Sequence, residues 1–113
     1  MARGYDEAGM LELSKERLVA DMEAQAEIGA TDNGGLDRVT LTDADAAARD
    51  WLHDRMTDAG LAVRIDEMGN MFGRRSGNDP DAAPVLVGSH LDSQPNGGIY
   101  DGALGVVAAL ECV

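Results

Sequence analysis

The stretch Val-Leu-Val-Gly-Ser-His-Leu-Asp, at residues 85–92, decides the architecture that the sequence predicts. Its first three residues form a continuous apolar run without alternation, which is typical of a strand buried on both faces of a helix-covered sheet. His90 and Asp92 follow that run directly, at the end of the strand where α/β proteins usually place their sites. The stretch therefore predicts an α/β fold with its chemistry at the carboxyl edge of a buried sheet.

Two helices are predicted ahead of this strand. Apolar residues recur at helical spacing over residues 11–28, and Ser14 is a candidate N-cap. A second helix should begin near Thr42, which forms an approximate capping box with Asp45 three residues later, and should end at Gly60. The side chains expected to face the core are Leu18, Val19, Met22 and Ala26 on the first helix and Ala44, Ala47, Ala48, Trp51, Leu52 and Met56 on the second.

A β-hairpin and a third helix complete the predicted elements. The alternation of residues 61–65 indicates a strand, a turn at 68–70 follows, and a second short strand begins at Met71. Small apolar residues over 103–110 indicate a helix that packs closely on the sheet. The order of two helices, a hairpin, a buried strand and a helix favours the α/β class.

The composition limits the kinds of partner that the chain can have. It contains 113 residues, enough for one small domain, and its net charge is −12. That charge argues against a nucleic-acid binder and against a polybasic membrane contact, and no apolar stretch approaches the length of a membrane span. The first residues lack the apolar core of a secretory signal, and a single cysteine, Cys112, excludes an internal disulfide. We therefore expect a cytoplasmic protein.

The balance of charged residues indicates adaptation to salt. Aspartate outnumbers glutamate by 14 to 7, and arginine outnumbers lysine by 8 to 1. Such a surface stays hydrated in concentrated salt, where the repulsion between its charges is screened. We expect a halophilic protein on this ground, and the alternative is an ordinary acidic protein.

Three polar residues after the buried run have the chemistry of a partial metal site. His90 and Asp92 can point to the same side of an extended chain, and Asp101 lies in a glycine-rich turn just ahead of a helix. Imidazole and carboxylate groups ligate zinc and similar ions, a carboxylate can bridge two metals, and a second carboxylate can orient a ligating histidine. The same spacing also fits a histidine satisfied within the core and an aspartate that caps a helix, so both interpretations stay open.

Other candidate residues are interpreted more simply. His53 is expected at the surface of the second helix, and Cys112 is expected to be a small buried or exposed residue rather than a ligand. Glu111 continues the third helix and is not interpreted as a catalytic base.

The segment GSHLDSQPNGGIYDGALGVVAALE, at residues 88–111, resembles the first metal-binding segment of the hydantoinase/carbamoylase family of zinc amidohydrolases. This family belongs to the superfamily of dinuclear metallopeptidases and amino-acylases. The upstream stretch 34–77 is also similar to the family, so that the resemblance covers roughly residues 11–113. The upstream positions that carry it are Gly34-Gly35, Arg38, Ala48-Arg49-Asp50, Gly60-Leu61, Asp66 and Gly69-Asn70.

The resemblance implies a role for each residue of the candidate site. His90 corresponds to the ligand of one metal, Asp101 to the carboxylate that bridges two metals, and Asp92 to the catalytic acidic residue that supports the first ligand. Two divalent ions are implied, zinc or alternatively manganese or cobalt. The implied substrates are small amide or ureido compounds, namely N-carbamoyl-L-amino acids, ureidopropionate or allantoate.

Family members are several times longer than this chain, which has consequences for its expected activity. Residues 1–113 are interpreted as the N-terminal portion of a metallohydrolase catalytic domain, without the dimerisation domain, the remaining ligands or the catalytic glutamate. We expect weak metal binding and no turnover from this chain alone, and no homodimer through it, although full-length relatives are expected to dimerise. The alternatives are a non-catalytic member that persists as an inert fold or binding partner, and a fragment of a related peptidase or amino-acylase.

Overall fold

The computed structural model describes residues 12–113, and this part of the chain forms three helices and a two-stranded antiparallel sheet. The mixture confirms the predicted α/β class. Residue 11, where the first helix was predicted to begin, lies outside the described residues. No helix of residues 12–113 is long and apolar enough to cross a membrane. The elements are α1 (Lys15–Ala26), α2 (Asp43–Asp58), β1 (Ala62–Ile65), β2 (Met71–Arg74) and α3 (Ala103–Cys112).

The first two helices begin where their capping residues predict. The Ser14 hydroxyl accepts a hydrogen bond from the Arg17 amide at 3.2 Å, and the Thr42 hydroxyl accepts one from the Asp45 amide at 3.3 Å. The Asp45 carboxylate in turn accepts from the amide of Leu41 at 3.0 Å, one residue before the cap. Both caps satisfy amide groups that the first turn of a helix leaves without partners.

The apolar core lies between α2, the hairpin and α3. Ala48 and Leu52 supply the α2 side of this core, and the predicted residues Trp51 and Met56 pack against it. Ala47 is exposed, because the core-facing stripe of α2 is narrower than predicted. The buried members of the core are Ala48, Leu52, Leu61, Leu91, Ala103, Val106 and Leu110.

Helix α1 packs largely through polar contacts, whereas its sequence predicts an apolar contact face. Of its expected apolar face only Met22 is buried, whereas Val19 is exposed, and Asp21 and Gln25 are buried instead. Arg17 forms an ion pair with the Glu111 carboxylate of α3 at 2.6 Å, and that carboxylate also accepts from the Ser14 amide at 2.7 Å. Glu111 is thus engaged in joining α1 to α3.

Strands β1 and β2 form the predicted hairpin. Ala62 pairs with Arg74 and Ile65 pairs with Met71 at its two ends. The connecting turn is organised by Asp66, whose Oδ1 accepts the amides of Met68 at 3.0 Å and Asn70 at 2.8 Å. The Asn70 side chain donates to the other carboxylate oxygen at 2.9 Å, so the turn is fixed by one charged group.

The hairpin turn should make stability depend on pH. Donation by the Asn70 side chain, followed by the backbone amides of Asn70 and Met68, lowers the pKa of Asp66 below its ordinary value near 3.8. A lowered pKa in the folded state stabilises the fold above the ordinary value, and this contribution disappears as pH falls through the folded-state value. We expect urea unfolding between pH 5 and 2 to show a smaller pH dependence in Asp66→Asn than in the wild type. Asn70→Ala should reduce it in part, and an unchanged profile in both variants would contradict this account.

The buried strand predicted at residues 85–87 does not form in the described chain. No strand includes these residues, and Val85, Leu86 and Val87 are 97%, 80% and 59% exposed. A strand exists only with a hydrogen-bonded partner, and β1 and β2 pair only with each other. Val106 and Val107 of α3, by contrast, are buried. The run is therefore apolar as predicted, but no strand of the described residues pairs with it.

Candidate metal centre

His90 and Asp92 lie on an irregular segment that is held by the loop before α2. The Arg38 amide donates to the Ser93 hydroxyl at 2.9 Å, and the Ser93 amide donates to the Arg38 carbonyl at 3.1 Å. Leu36 and Gly97 exchange both of their backbone hydrogen bonds, at 2.9 and 2.8 Å. The position of the segment is therefore set by backbone bonds on either side of its polar residues.

Asp101 is brought to the same place by the turn that begins α3. Gly102, the residue between Asp101 and the helix, has a φ of 71°, in the left-handed region that favours glycine. A Cβ atom at Gly102 would overlap the His90 ring and the His90 carbonyl. Farther along α3, a Cβ atom at Gly105 would lie 2.7 Å from the Ser89 Cβ. Two glycines thus let the start of α3 pack directly on the segment that carries His90.

The structure brings all three predicted site residues together around the imidazole ring. His90 Nδ1 lies 3.0 Å from the backbone carbonyl oxygen of Asp92 and 3.4 Å from its carboxylate Oδ1. His90 Nε2 lies 3.7 Å from Oδ1 of Asp101. The other carboxylate oxygen of Asp92 accepts from the Thr40 hydroxyl at 3.0 Å. Asp92 and Asp101 therefore face opposite nitrogens of one histidine.

This arrangement fixes the tautomer of His90 and leaves one nitrogen available. A carbonyl oxygen only accepts hydrogen bonds, so Nδ1 donates to the Asp92 carbonyl and Nε2 of the neutral ring carries a lone pair. That lone pair faces the acceptor oxygen of Asp101, and a cation between the two atoms would satisfy both. Ligand atoms bound tetrahedrally to one zinc ion lie about 3.4 Å apart, close to the observed separation. The two candidate ligand atoms, His90 Nε2 and Asp101 Oδ1, therefore have a chemistry and a separation that fit a divalent metal.

The candidate ligands in the described residues are too few for a complete metal site. Within residues 12–113, no three His, Cys, Asp or Glu side chains converge so that they could hold a metal ion. The Asp92 carboxylate faces Nδ1, away from the free nitrogen, and is placed to orient the ring. His53 pairs with Asp54 at 3.7 Å on an exposed part of α2, and Cys112 is exposed.

Sequence reasoning assigned no role to three residues that surround the centre. Thr40 contacts the Asp92 carboxylate, while Arg38 and Gln25 have no exposed surface and lie behind the segment. A buried arginine is rare, and patterns of hydrophobicity do not reveal one. The only signal in the sequence was the stretch 34–38, which is rich in glycine and contains Arg38.

Comparisons with known proteins connect this geometry to a group of hydrolases. The family model of Peptidase family M28 matches residues 70–113. The chain is 48% identical to an N-carbamoyl-L-amino-acid amidohydrolase of Rhizobium meliloti, over 89% of this chain and 24% of that protein. It is 39% identical to an allantoate amidohydrolase of Bacillus subtilis, over 87% of this chain and 24% of that protein. The chain spans about a quarter of the length of these curated relatives.

A solved structure gives the same result for the fold. The crystal structure of a hydantoinase/carbamoylase family amidase from Burkholderia ambifaria superimposes with a TM-score of 0.86 and 50% sequence identity. The match covers 88% of this chain and 25% of that chain. The similarity therefore covers most of this chain and about a quarter of the longer protein.

Proposed function

We infer from these comparisons that the chain belongs to the hydantoinase/carbamoylase family. From this premise we propose that it supplies part of the metal centre of a hydrolase of linear amide and ureido C–N bonds. The substrates proposed are N-carbamoyl-L-amino acids, ureidopropionate or allantoate. The observation that carries the proposal is the pair of acceptor atoms, His90 Nε2 and Asp101 Oδ1, that face each other at 3.7 Å. The amidohydrolase names of the curated relatives support the choice of reaction.

Each residue of the centre has a distinct part in this proposal. His90 and Asp101 would hold divalent metal, for which we propose zinc, and Asp101 would bridge two ions through its two oxygens. Bound metal of this kind lowers the pKa of water and polarises a carbonyl. Asp92 keeps the proton of His90 on Nδ1, and Thr40 holds Asp92 in place for this purpose. We assign the remaining ligands and the proton-accepting glutamate to parts of the protein outside residues 12–113.

Further properties belong to the same proposal. We propose that the complete protein is a cytoplasmic homodimer, and that its dimer contact lies outside this segment. The excess of aspartate over glutamate and of arginine over lysine supports a surface adapted to high salt.

A peptidase is the second candidate. The match of residues 70–113 to the model of Peptidase family M28 favours it, because those residues include the entire candidate centre. Both reactions require a metal-activated water and a polarised carbonyl, so the centre alone does not distinguish them. The choice depends on the group attached to the scissile carbonyl, and a comparison of dipeptide and N-carbamoyl substrates tests it directly.

A chimera provides the test of function. This chain would replace the matching quarter of the Rhizobium meliloti amidohydrolase, and hydrolysis of an N-carbamoyl-L-amino acid would be measured with added zinc. We expect the chimera to be active, because its ligands and its packing surface are retained. The isolated 113-residue chain should give no turnover under the same conditions, since two donors do not complete a catalytic site.

Matched substitutions make this test specific. His90→Ala and Asp101→Asn should abolish activity in the chimera, whereas His53→Ala should retain it because His53 lies on an exposed part of α2. Circular dichroism of each variant would show that it is folded. A folded chimera that stays active without His90 would contradict the proposal, and cleavage of dipeptides in preference to carbamoyl substrates would favour the peptidase.

A further inference from the structure

Two polar side chains with no exposed surface, Arg38 and Gln25, lie behind the candidate metal centre. A charge that is removed from water needs hydrogen-bond partners, and the Arg38 guanidinium has several. It donates to the carbonyls of Leu91 at 2.8 Å, Gln25 at 2.6 Å and Ile28 at 3.3 Å, and to the side-chain oxygen of Gln25. The planar fork of an arginine suits this arrangement, which a lysine cannot reproduce.

One branch of this network leads to His90. The Leu91 carbonyl, which accepts from the Arg38 guanidinium, lies between His90 and Asp92 in the chain. On the other side of Asp92, Ser93 exchanges hydrogen bonds with the Arg38 backbone. Asp92 is therefore held on both sides by Arg38, and the Asp92 carbonyl is the group that orients the His90 ring.

The second branch leads to Asp101. The side-chain nitrogen of Gln25 donates to the Ile99 carbonyl at 3.2 Å, two residues before Asp101. The same side chain accepts from Arg38 through its oxygen, so it connects the two branches. Its nitrogen also donates to the Met22 carbonyl at 3.1 Å, which ties the network to α1.

From these bonds we infer that Arg38 and Gln25 are positioning residues that set the separation between His90 and Asp101. The inference rests on the proposed metal centre, because that separation matters only if the two side chains bind one ligand. Arg38 acts on the imidazole through residues 91–93, and Gln25 acts on Asp101 through Ile99. Neither residue touches the ligand itself.

The substitution Gln25→Glu separates positioning from folding. A glutamate keeps an oxygen that accepts from Arg38 and adds a charge that pairs with it, but it no longer donates to the Ile99 carbonyl. The variant also loses the hydrogen bond to the Met22 carbonyl, so its urea midpoint should fall. We expect its affinity for Co²⁺, measured by calorimetry on the 113-residue chain and corrected for the folded fraction, to fall about tenfold. Arg55→Met is the matched control, because Arg55 also joins helices, through Asp21 at 3.0 Å, but has no bond to residues 90–101.

A second variant and a second measurement do not depend on metal. The chain contains two histidines, so NMR of the imidazole nitrogens resolves His90 with His53 as an internal reference. At pH 8, where an ordinary imidazole is neutral, the wild type should carry the proton of His90 mainly on Nδ1. Arg38→Lys should shift the population of His90 toward the Nε2-protonated tautomer and leave His53 unchanged.

The outcomes distinguish the inference from the proposal on which it rests. A wild-type chain that binds no Co²⁺ counts against the metal centre, while the tautomer of His90 still tests Arg38. The inference would be overturned if Arg38→Lys and Gln25→Glu both kept the wild-type tautomer of His90 and the wild-type affinity for Co²⁺. It is also overturned if the affinity of Gln25→Glu for Co²⁺ falls only in proportion to its folded fraction. That is the behaviour expected of the control Arg55→Met.

Discussion

Replacing Gly102 by alanine should destabilise the chain more than alanine at any other glycine of residues 12–113. The residue combines a φ of 71° with direct packing of its backbone against the ring and carbonyl of His90. The left-handed backbone costs an alanine about 1–2 kcal/mol, and forcing a methyl group into filled space costs about 1–3 kcal/mol more. We expect the free energy of unfolding to fall by about 2–5 kcal/mol, as measured by urea denaturation.

Gly34 provides the matched control for this substitution. It has a φ of 83°, but no atom lies within 4 Å of the position that a Cβ would take. Gly34→Ala should therefore lose only the backbone contribution, about 1–2 kcal/mol. The difference between the two variants measures the contact between Gly102 and His90. Equal losses would show that α3 can move away from the imidazole at no cost, contrary to the close packing described.

Replacing Arg38 by methionine should produce the second large effect, on stability. The substitution leaves the Leu91 carbonyl and the side-chain oxygen of Gln25 without their buried donor, whereas the Gln25 carbonyl keeps the Ile28 amide at 3.2 Å. Each buried acceptor that loses its partner costs about 1–3 kcal/mol, and this is partly offset because a charge no longer has to be buried. We expect a net loss of about 3 kcal/mol in the free energy of unfolding. Burial also lowers the pKa of Arg38, an effect opposed by the carboxylates of Asp45 and Asp92.

An exposed arginine serves as the comparison for Arg38. Arg64 lies on the hairpin with its guanidinium 5.0 Å from the centre of the Phe72 ring. Arg64→Met should cost no more than about 1 kcal/mol, the size of a solvent-exposed cation–π contact. A gain in stability from Arg38→Met would show that the burial of the guanidinium costs more than its hydrogen bonds return, and would contradict this account.

Features that depend on neighbouring residues in the chain were predictable from the sequence. Ser14 and Thr42 cap helices because the groups they satisfy lie three residues away. Asp66 organises a turn by accepting from amides two and four residues away. The proximity of His90 to Asp92 follows from their spacing on an irregular segment. Their roles at a metal, and that of Asp101, stay predictions that the chimera tests.

Features that depend on distant partners were not predictable in the same way. The run at residues 85–87 has the composition of a buried strand, but strand formation requires a second strand that no local pattern supplies. The burial of Arg38 depends on carbonyls contributed by residues 25, 28 and 91, which are brought together only by the fold. An amphipathic pattern assigns a charged side chain to the surface, so it misplaces this one.

The exposed apolar segment at residues 85–87 has a consequence for how the chain behaves among copies of itself. An exposed, unpaired run of three aliphatic residues is a template on which a second copy can add a strand. Two copies that each carry a net charge of −12 repel one another before such pairing can begin. This protection against pairing comes from repulsion between copies and not from a covering element of the fold. It weakens as dissolved ions shorten the range of the repulsion. The net negative charge therefore protects this segment from pairing best in dilute buffer.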